Sequence, residues 1–318
     1  MRALLARRLL ALPLVLVPAA AFVFALPRIS GRDTALSILR SRTGEAGPDP
    51  AVLAALRTQY GLDGSWLEQF GRWSGRMLAG DLGISYTSRT PVSGLLLPAL
   101  GTSLVLTISA LVVAGLIGIP LGVRAARRPG GRLDRILTTG SVLGVAVPEF
   151  VLGTVLVLTF AVTLPLLPAT GWGNPAEAVL PVLTLAAFPA ALAAQLVRAE
   201  TVDALARPHV TVARAKGLAD RSVLWRHGGR LGLTSVTSLS GLFLGGLLGG
   251  SVVVEVLFSI PGLGRLLYDA VLGQDLPVVQ AGLLAVVAVA AVAGIGAELL
   301  ALALDPVARG AATGGGVR

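Results

Sequence analysis

An all-α protein that crosses a membrane several times is the fold class this sequence predicts, and three observations carry it. Of its 318 residues 54% are hydrophobic and only 14% charged, with a mean hydropathy of +0.81, whereas a soluble domain holds about 25% charged residues. Apolar runs recur along the chain, each long enough, at about 1.5 Å per residue, to cover most of a ~30 Å hydrocarbon layer. The basic residues outside one long polar segment collect in alternate loops, the pattern by which membrane proteins set their orientation.

The first run is Leu9 to Leu26, preceded by Arg2, Arg7 and Arg8. Small residues at Ala19 to Ala21 suit a cleaved signal peptide, but the run exceeds the usual apolar stretch of roughly 7–15 residues. An uncleaved first span is therefore expected. Arg28 to Pro98 is the sizeable polar segment, its eight arginines nearly matched by Asp33, Glu45, Asp49, Asp63, Glu68 and Asp81. Within it Leu53 to Tyr60 and Trp66 to Leu78 have helical spacing of apolar and aromatic residues and can lie against the membrane surface.

Thr102 to Val123 is the second span. Arg124, Arg127, Arg128, Arg132 and Arg135, with Asp134 the lone acid, form a short positive loop after it. Val142 to Leu164 is the third span, interrupted by Pro148-Glu149. Neither half is long enough to cross alone, so one kinked helix is expected. Val179 to Val197 is the fourth span, Leu233 to Phe258 the fifth and Val278 to Leu304 the sixth. With the N-terminus in the cytoplasm, the inner segments hold 17 of the 26 basic residues. The eight on the outer side sit in a long, charge-balanced segment to which the rule applies weakly. Six spans with both termini inside follow.

The most charged interval is Arg198 to Arg230, between the fourth and fifth spans. Pro208 has a preset φ and no N–H to leave unpaired, which suits the first position of a helix. Gly217 tolerates positive φ and suits the residue beyond a helix end, where Arg214 and Lys216 also favour the dipole. Asp220 can cap a second short helix, and Gly228-Gly229 loosens the chain before the next span. A helix of two turns is unstable alone in water, so it must dock on something. A basic loop that merely fixes orientation is the competing reading.

Several chemistries are excluded. The chain has no cysteine, and its two histidines, His209 and His227, share the charged loop without further metal ligands. A phosphate-binding P-loop needs Lys followed by Ser or Thr, and the single lysine, Lys216, is followed by Gly217. No catalytic residue, metal or cofactor is expected on this chain, and any ATP-driven step belongs to another polypeptide. The net charge of +9 has no soluble basic domain to carry it, so nucleic acid is not an expected partner. Arginine in place of lysine, with abundant alanine and glycine, points to a GC-rich bacterial genome.

Ala213-Arg214-Ala215-Lys216-Gly217-Leu218, with Val223-Leu224-Trp225-Arg226-His227 and Arg230 after it, resembles the coupling loop of binding-protein-dependent ABC import permeases, most closely those of the dipeptide, oligopeptide and nickel type. Gly80-Asp81-Leu82-Gly83-Ile84-Ser85 is similar to that family's segment before its second span. Pro261 to Leu266 and Asp275 to Gln280 are similar to its loop between the last two spans. The resemblance runs from Arg7 to Arg309. It departs at Gly31-Arg32-Asp33-Thr34 in the outer segment and, around the coupling loop, at Pro208-His209, Thr211, Leu231 and Ser235, and the changes around the loop bear on ATPase partner choice.

The resemblance implies an inner-membrane permease subunit carrying short peptides or nickel and other metal chelates. Implied partners are a second homologous permease, two ABC ATPase subunits that bind the ATP, an extracytoplasmic solute-binding protein, and membrane lipid. Glu200 and Ala213 to Leu218 are then the ATPase-coupling residues. Residues 1–98 form an N-terminal span and outer segment, 99–310 the transmembrane core with its coupling loop at 198–231, and 311–318 a flexible tail.

Glu149, Glu255 and Glu298 lie in or beside spans, where a charge costs about 2.5–3.5 kcal/mol on insertion scales. Pro148 and Glu149 can line a translocation path, or the Glu149 carboxyl can face a neighbouring helix. Glu255 and Glu298 are expected to partner helix ends. Gly241, Gly245 and Gly249 recur at four-residue steps and allow close helix packing, either within the chain or against a second permease. An ion-coupled secondary carrier using Glu149 and Glu298 is the alternative from another class.

Overall fold

The computed structural model describes residues 2–29, 31, 36, 39, 50–59, 64–225 and 230–304. Among them every regular element is helical, and an isolated bridge pairs Ile84 with Pro91. The expected tail at 311–318, the Gly31-Arg32-Asp33-Thr34 departure and His227 to Gly229 fall wholly or partly outside these residues.

Helix α1 (Arg2–Ile29) is followed by the short helices α2 (Pro50–Gln59) and α3 (Trp66–Leu78) and by long α4 (Val92–Ala126). Next come α5 (Arg132–Ala146) and α6 (Glu149–Leu156), the latter running on as a π-helical stretch over Val157–Thr163. Then follow α7 (Pro175–Leu205), α8 (Pro208–Ala215), α9 (Asp220–Val223), α10 (Arg230–Gly250), α11 (Val252–Leu257), α12 (Leu263–Leu272) and α13 (Leu276–Leu304). Among the described residues, five of these, α1, α4, α7, α10 and α13, are long and apolar enough to cross a membrane.

Two expected spans are built differently. The third is not one kinked helix. The chain leaves helical geometry between Ala146 and Glu149, and Pro148 is extended at φ −60°, ψ 140°. Proline clashes with a helical residue before it and supplies no N–H to the preceding turn, so here it starts a new helix instead of bending an old one. The fifth span stops at Gly250, eight residues short of Phe258. Two successive glycines weaken its end, and the hydroxyl of Ser251 turns to the Glu255 carboxylate, 2.8 Å away.

Small residues decide which helices pair. A Cβ placed on Gly118 would lie 2.7 Å from the Ala190 carbonyl oxygen, and one on Gly122 2.5 Å from that of Ala194, so α4 and α7 touch backbone to backbone. The same holds between α10 and α13, where a Cβ on Gly241 would sit 2.7 Å from the Ala293 carbonyl and one on Gly245 2.5 Å from Ala290 Cβ. Without a hydrophobic force between helices in lipid, such close contact is what holds a bundle together. The main buried cluster joins Leu106, Ala110 and Ala114 of α4 to Leu180, Leu185 and Ala186 of α7, Leu247 of α10, and Phe258 and Ile260.

Helix α1 stands outside this bundle against α13, where Arg8 and Glu298 pair at 2.6 Å. Its other end meets α3. Ser65 and Glu68 close a capping box that starts α3, with Ser65 N donating to Glu68 Oε2 at 3.0 Å. Trp66 and Phe70 then stack at 5.4 Å, and Phe24 of α1 meets both edge-on at 5.9 and 5.5 Å. Leu67 and Leu78 remain exposed on the other side of α3.

Candidate functional site

The charged interval folds as two short helices at a corner. Pro208 opens α8, whose last residues are Ala213, Arg214 and Ala215. Lys216 N donates to Val212 O at 3.0 Å, Gly217 turns the chain at φ +80°, and Leu218 N closes back on Ala213 O at 3.3 Å. Helix α9 starts at Asp220. The pair is fastened to the bundle from beneath: Val210 and Val223 are fully buried, and Leu224 packs with Val123 of α4 and Val197 of α7. On the opposite side Val212 is 53% exposed, with Ala215, Lys216 and Gly217 beside it. Glu200, one turn before the end of α7, accepts a hydrogen bond from Ser235 Oγ of α10 at 3.3 Å. An apolar side chain held outward on an anchored two-turn helix is a surface shaped to be covered.

A charged clamp stands beside this corner. The Arg198 guanidinium, on α7, grips both carboxylate oxygens of Asp134 on α5, through Nε to Oδ1 and Nη2 to Oδ2, the latter at 2.8 Å. Gly130 N also donates to Asp134 at 2.8 Å. Arg198 and the Gly130 amide together hold the Asp134 carboxyl down to about 2, against an ordinary 3.8. The fork ties the positive loop after α4 to the start of the charged interval at 198–230.

The break between α5 and α6 carries Pro148 and Glu149. Glu149 is half-buried, on the α6 stripe that includes buried Gly153, while Phe150, Val151 and Val155 point outward. A Cβ on Gly153 would lie 2.7 Å from Leu257 and 3.3 Å from Phe258 and Thr184, so this stripe faces α7 and α11. Among the described residues the Glu149 carboxylate has no hydrogen-bond or ion-pair partner.

The other two acids singled out in the sequence, Glu255 and Glu298, are paired. Glu255 is fully buried and accepts from Ser103 Oγ of α4 at 2.5 Å, Ser251 Oγ at 2.8 Å and Arg265 N of α12 at 2.9 Å. Leu263 N donates to Ser103 Oγ at 2.7 Å, so the first turn of α12 is satisfied by a residue of the preceding helix and by α4. Glu298 holds Arg8. Nearby, buried Asp275 accepts from Ser85 Oγ, from Tyr86 N at 3.0 Å and from Thr87 N at 3.3 Å, which pins the turn at 83–91 to the loop before α13.

Gly241 and Gly245 meet α13, as described, and a Cβ on Gly249 would be an ordinary 4.0 Å from Val286 of the same helix. Sequence reasoning missed three features. The Gly118 and Gly122 pair carries the same four-residue spacing that marked the α10 stripe. The sequences Ser65-Trp66-Leu67-Glu68 and Asn174-Pro175-Ala176-Glu177 are capping boxes readable directly. Nothing local signalled the Asp134–Arg198 fork.

Residues 118–310 match the family described as "Binding-protein-dependent transport system inner membrane component". The chain is 34% identical over 258 residues to the dipeptide transport system permease protein DppB of Lactococcus lactis, covering 81% of this chain and 85% of that one. It is 39% identical over 280 residues to the glutathione transport system permease protein GsiC of Salmonella paratyphi A, covering 87% and 89%. The GsiC of Escherichia coli is 40% identical over 241 residues, 75% of this chain and 79% of that one. The fold is similar to a chain of the MetNI methionine ABC transporter in an inward-facing conformation, with a TM-score of 0.57 and 18% identity, covering 66% of this chain and 96% of that one. These matches set aside the ion-coupled carrier.

Proposed function

Since the chain belongs to the family of binding-protein-dependent transport system inner membrane components, of which it is a permease and not a catalytic subunit, we propose that it passes short peptides across the membrane with force supplied by a separate ATPase. The relatives' names, dipeptide and glutathione, favour peptides over the nickel and metal chelates that the dipeptide, oligopeptide and nickel resemblance also allows. Residues 99–310 are the translocating core and 1–98 an added span and outer segment. Six crossings with both termini in the cytoplasm result if the broken α5–α6 unit supplies the third, in keeping with the loop charges.

The observation that carries the reading is the exposed side of α8, anchored below by Leu224. In this proposal Ala213 to Leu218 enter a groove on the ATPase, and Glu200, bonded to Ser235, passes the movement to α7 and α10. Two ATPase copies, a second homologous permease and an extracytoplasmic binding protein complete the assembly, with ATP bound on the ATPase. Gly241, Gly245 and Gly249 serve packing within the chain, between α10 and α13, leaving the exposed apolar faces of α1 and α4 for lipid or the second permease. Pro148 and Glu149 line the path.

The test is co-expression with the neighbouring ATPase genes and purification in mild detergent, comparing wild type with Arg214→Glu combined with Gly217→Pro. Proline fits neither the φ of +80° at that corner nor its turn. ATPase that co-purifies with wild type and is lost from the variant supports the coupling assignment. Equal retention in both refutes it.

A further inference from the structure

The three glutamates in or beside the spans meet three different fates. Glu255 is saturated by two hydroxyls and a backbone N–H. Glu298 has the Arg8 guanidinium. Glu149 has neither. An acid at membrane depth is costly, and such residues pair or face a polar interior where they handle a substrate.

The depth and direction of Glu149 follow from its neighbours. A Cβ on Gly144, in α5, would lie 3.3 Å from Ala191 of α7, and one on Gly153, in α6, 3.3 Å from Thr184. Glu149 lies between these glycines in the chain, where α5 and α6 run against the stretch of α7 from Thr184 to Ala191, beside the middle of that 31-residue helix. It shares a face of α6 with Leu152, Gly153 and Leu156, the i, i+3, i+4, i+7 stripe that packs inward. It stands at the break in a span, the place where membrane transporters expose polar groups to a solute.

We propose that Glu149 is a specificity-determining residue that receives a protonated amine or guanidinium of the passing solute. An ionised carboxylate only accepts hydrogen bonds; neutral donors can satisfy one, as at Glu255, but a cationic N–H donor bonds it about twice as strongly and also offsets its charge. The site thereby favours cationic over anionic solutes during passage, in addition to any choice made by the binding protein. This inference rests on the peptide-importer reading above.

The complete transporter is reconstituted in proteoliposomes with its binding protein and ATP, and uptake of alanyl-lysine and alanyl-glutamate is measured for wild type, Glu149→Gln and Glu149→Asp. The binding protein is common to every arm, so its own preference cancels when uptake ratios are compared. The lysine-to-glutamate ratio is expected to fall about tenfold in Glu149→Gln and to stay within about twofold of wild type in Glu149→Asp. If the glutamine variant does not assemble, Glu149→Ser is measured in its place with the same expectation. A ratio unchanged in the neutral variant, or an equal loss of both peptides, overturns the inference alone. Failure of wild type to take up either peptide overturns the peptide reading and the inference with it.

Discussion

The two ends of the bundle are held by opposite electrostatic means. At the end formed by residues 80–91 and 251–275, two buried carboxylates, Glu255 and Asp275, accept only from hydroxyls and backbone N–H groups. At the end formed by residues 124–135 and 198–225, Asp134 is held by a guanidinium. Neutral donors saturate a buried charge at short range and leave nothing for salt to screen. A partly exposed ion pair is stronger per bond but answers to pH and to ions. One end is therefore built as a fixed platform. The other is fastened by an ion pair whose strength depends on charge, beside the corner formed by α8 and α9.

Glu255→Ala should break this contrast most severely. It removes the acceptor of the Ser103 hydroxyl and the Arg265 N–H, at roughly 1–3 kcal/mol each, and leaves the Ser251 hydroxyl only the Leu248 carbonyl at 3.3 Å. Thermal unfolding of the detergent-solubilised assembly is expected to show a loss of about 4 kcal/mol, and a loss below 1 kcal/mol would mean that water replaces the carboxylate.

Gly122→Leu comes next, because its Cβ alone would meet the Ala194 carbonyl at 2.5 Å. Overpacking there should cost about 3 kcal/mol, whereas Gly246→Leu, with open space around it, should cost far less in the same melt. Equal costs would refute the backbone contact between α4 and α7.

Asp134→Asn sharpens the contrast between the ends, at about 2 kcal/mol. The pH dependence has a definite sign. The carboxyl of Asp134 is lowered in the folded protein to about 2 from 3.8, so its contribution is complete above pH 3.8 and is lost as pH falls toward 2. Wild type should lose stability across that window by more than Asp134→Asn does. Parallel acid titrations of the two proteins would count against the fork.

Gly217→Ala is the smallest change, about 1 kcal/mol for placing a Cβ at φ +80°. It should weaken ATPase retention without moving the melt of the transmembrane bundle. A shifted melt with full retention would make the corner a structural turn only.

Much of this was legible beforehand where the signal was local. Pro208, Gly217 and Asp220 punctuated α8 and α9 to within a residue of their observed ends. Pro148 marked a discontinuity, but not its kind: a proline in an apolar run allows a kink or a new helix start, and the extended Pro148 chose the second. Gly249-Gly250 likewise allowed continuation, and the span ended because Ser251 had Glu255 to bind. For the candidate path, the sequence set Glu149, beside Pro148, apart from Glu255 and Glu298, which it expected to partner helix ends; the particular donors those two bind were not legible in it.

By itself, then, the sequence determined an all-helical membrane fold, which runs are apolar enough for lipid, and where short polar helices turn between them. Those outcomes depend on hydropathy and on backbone preferences that act over a few residues. Tertiary structure alone decided that Asp134 meets Arg198 across 64 residues, Ser103 meets Glu255 across 152 and Ser85 meets Asp275 across 190. It also decided that Glu149 has no hydrogen-bond or ion-pair partner among the described residues. A carboxylate carries no record of its partner; the glycine contacts that bring particular helices together supply it.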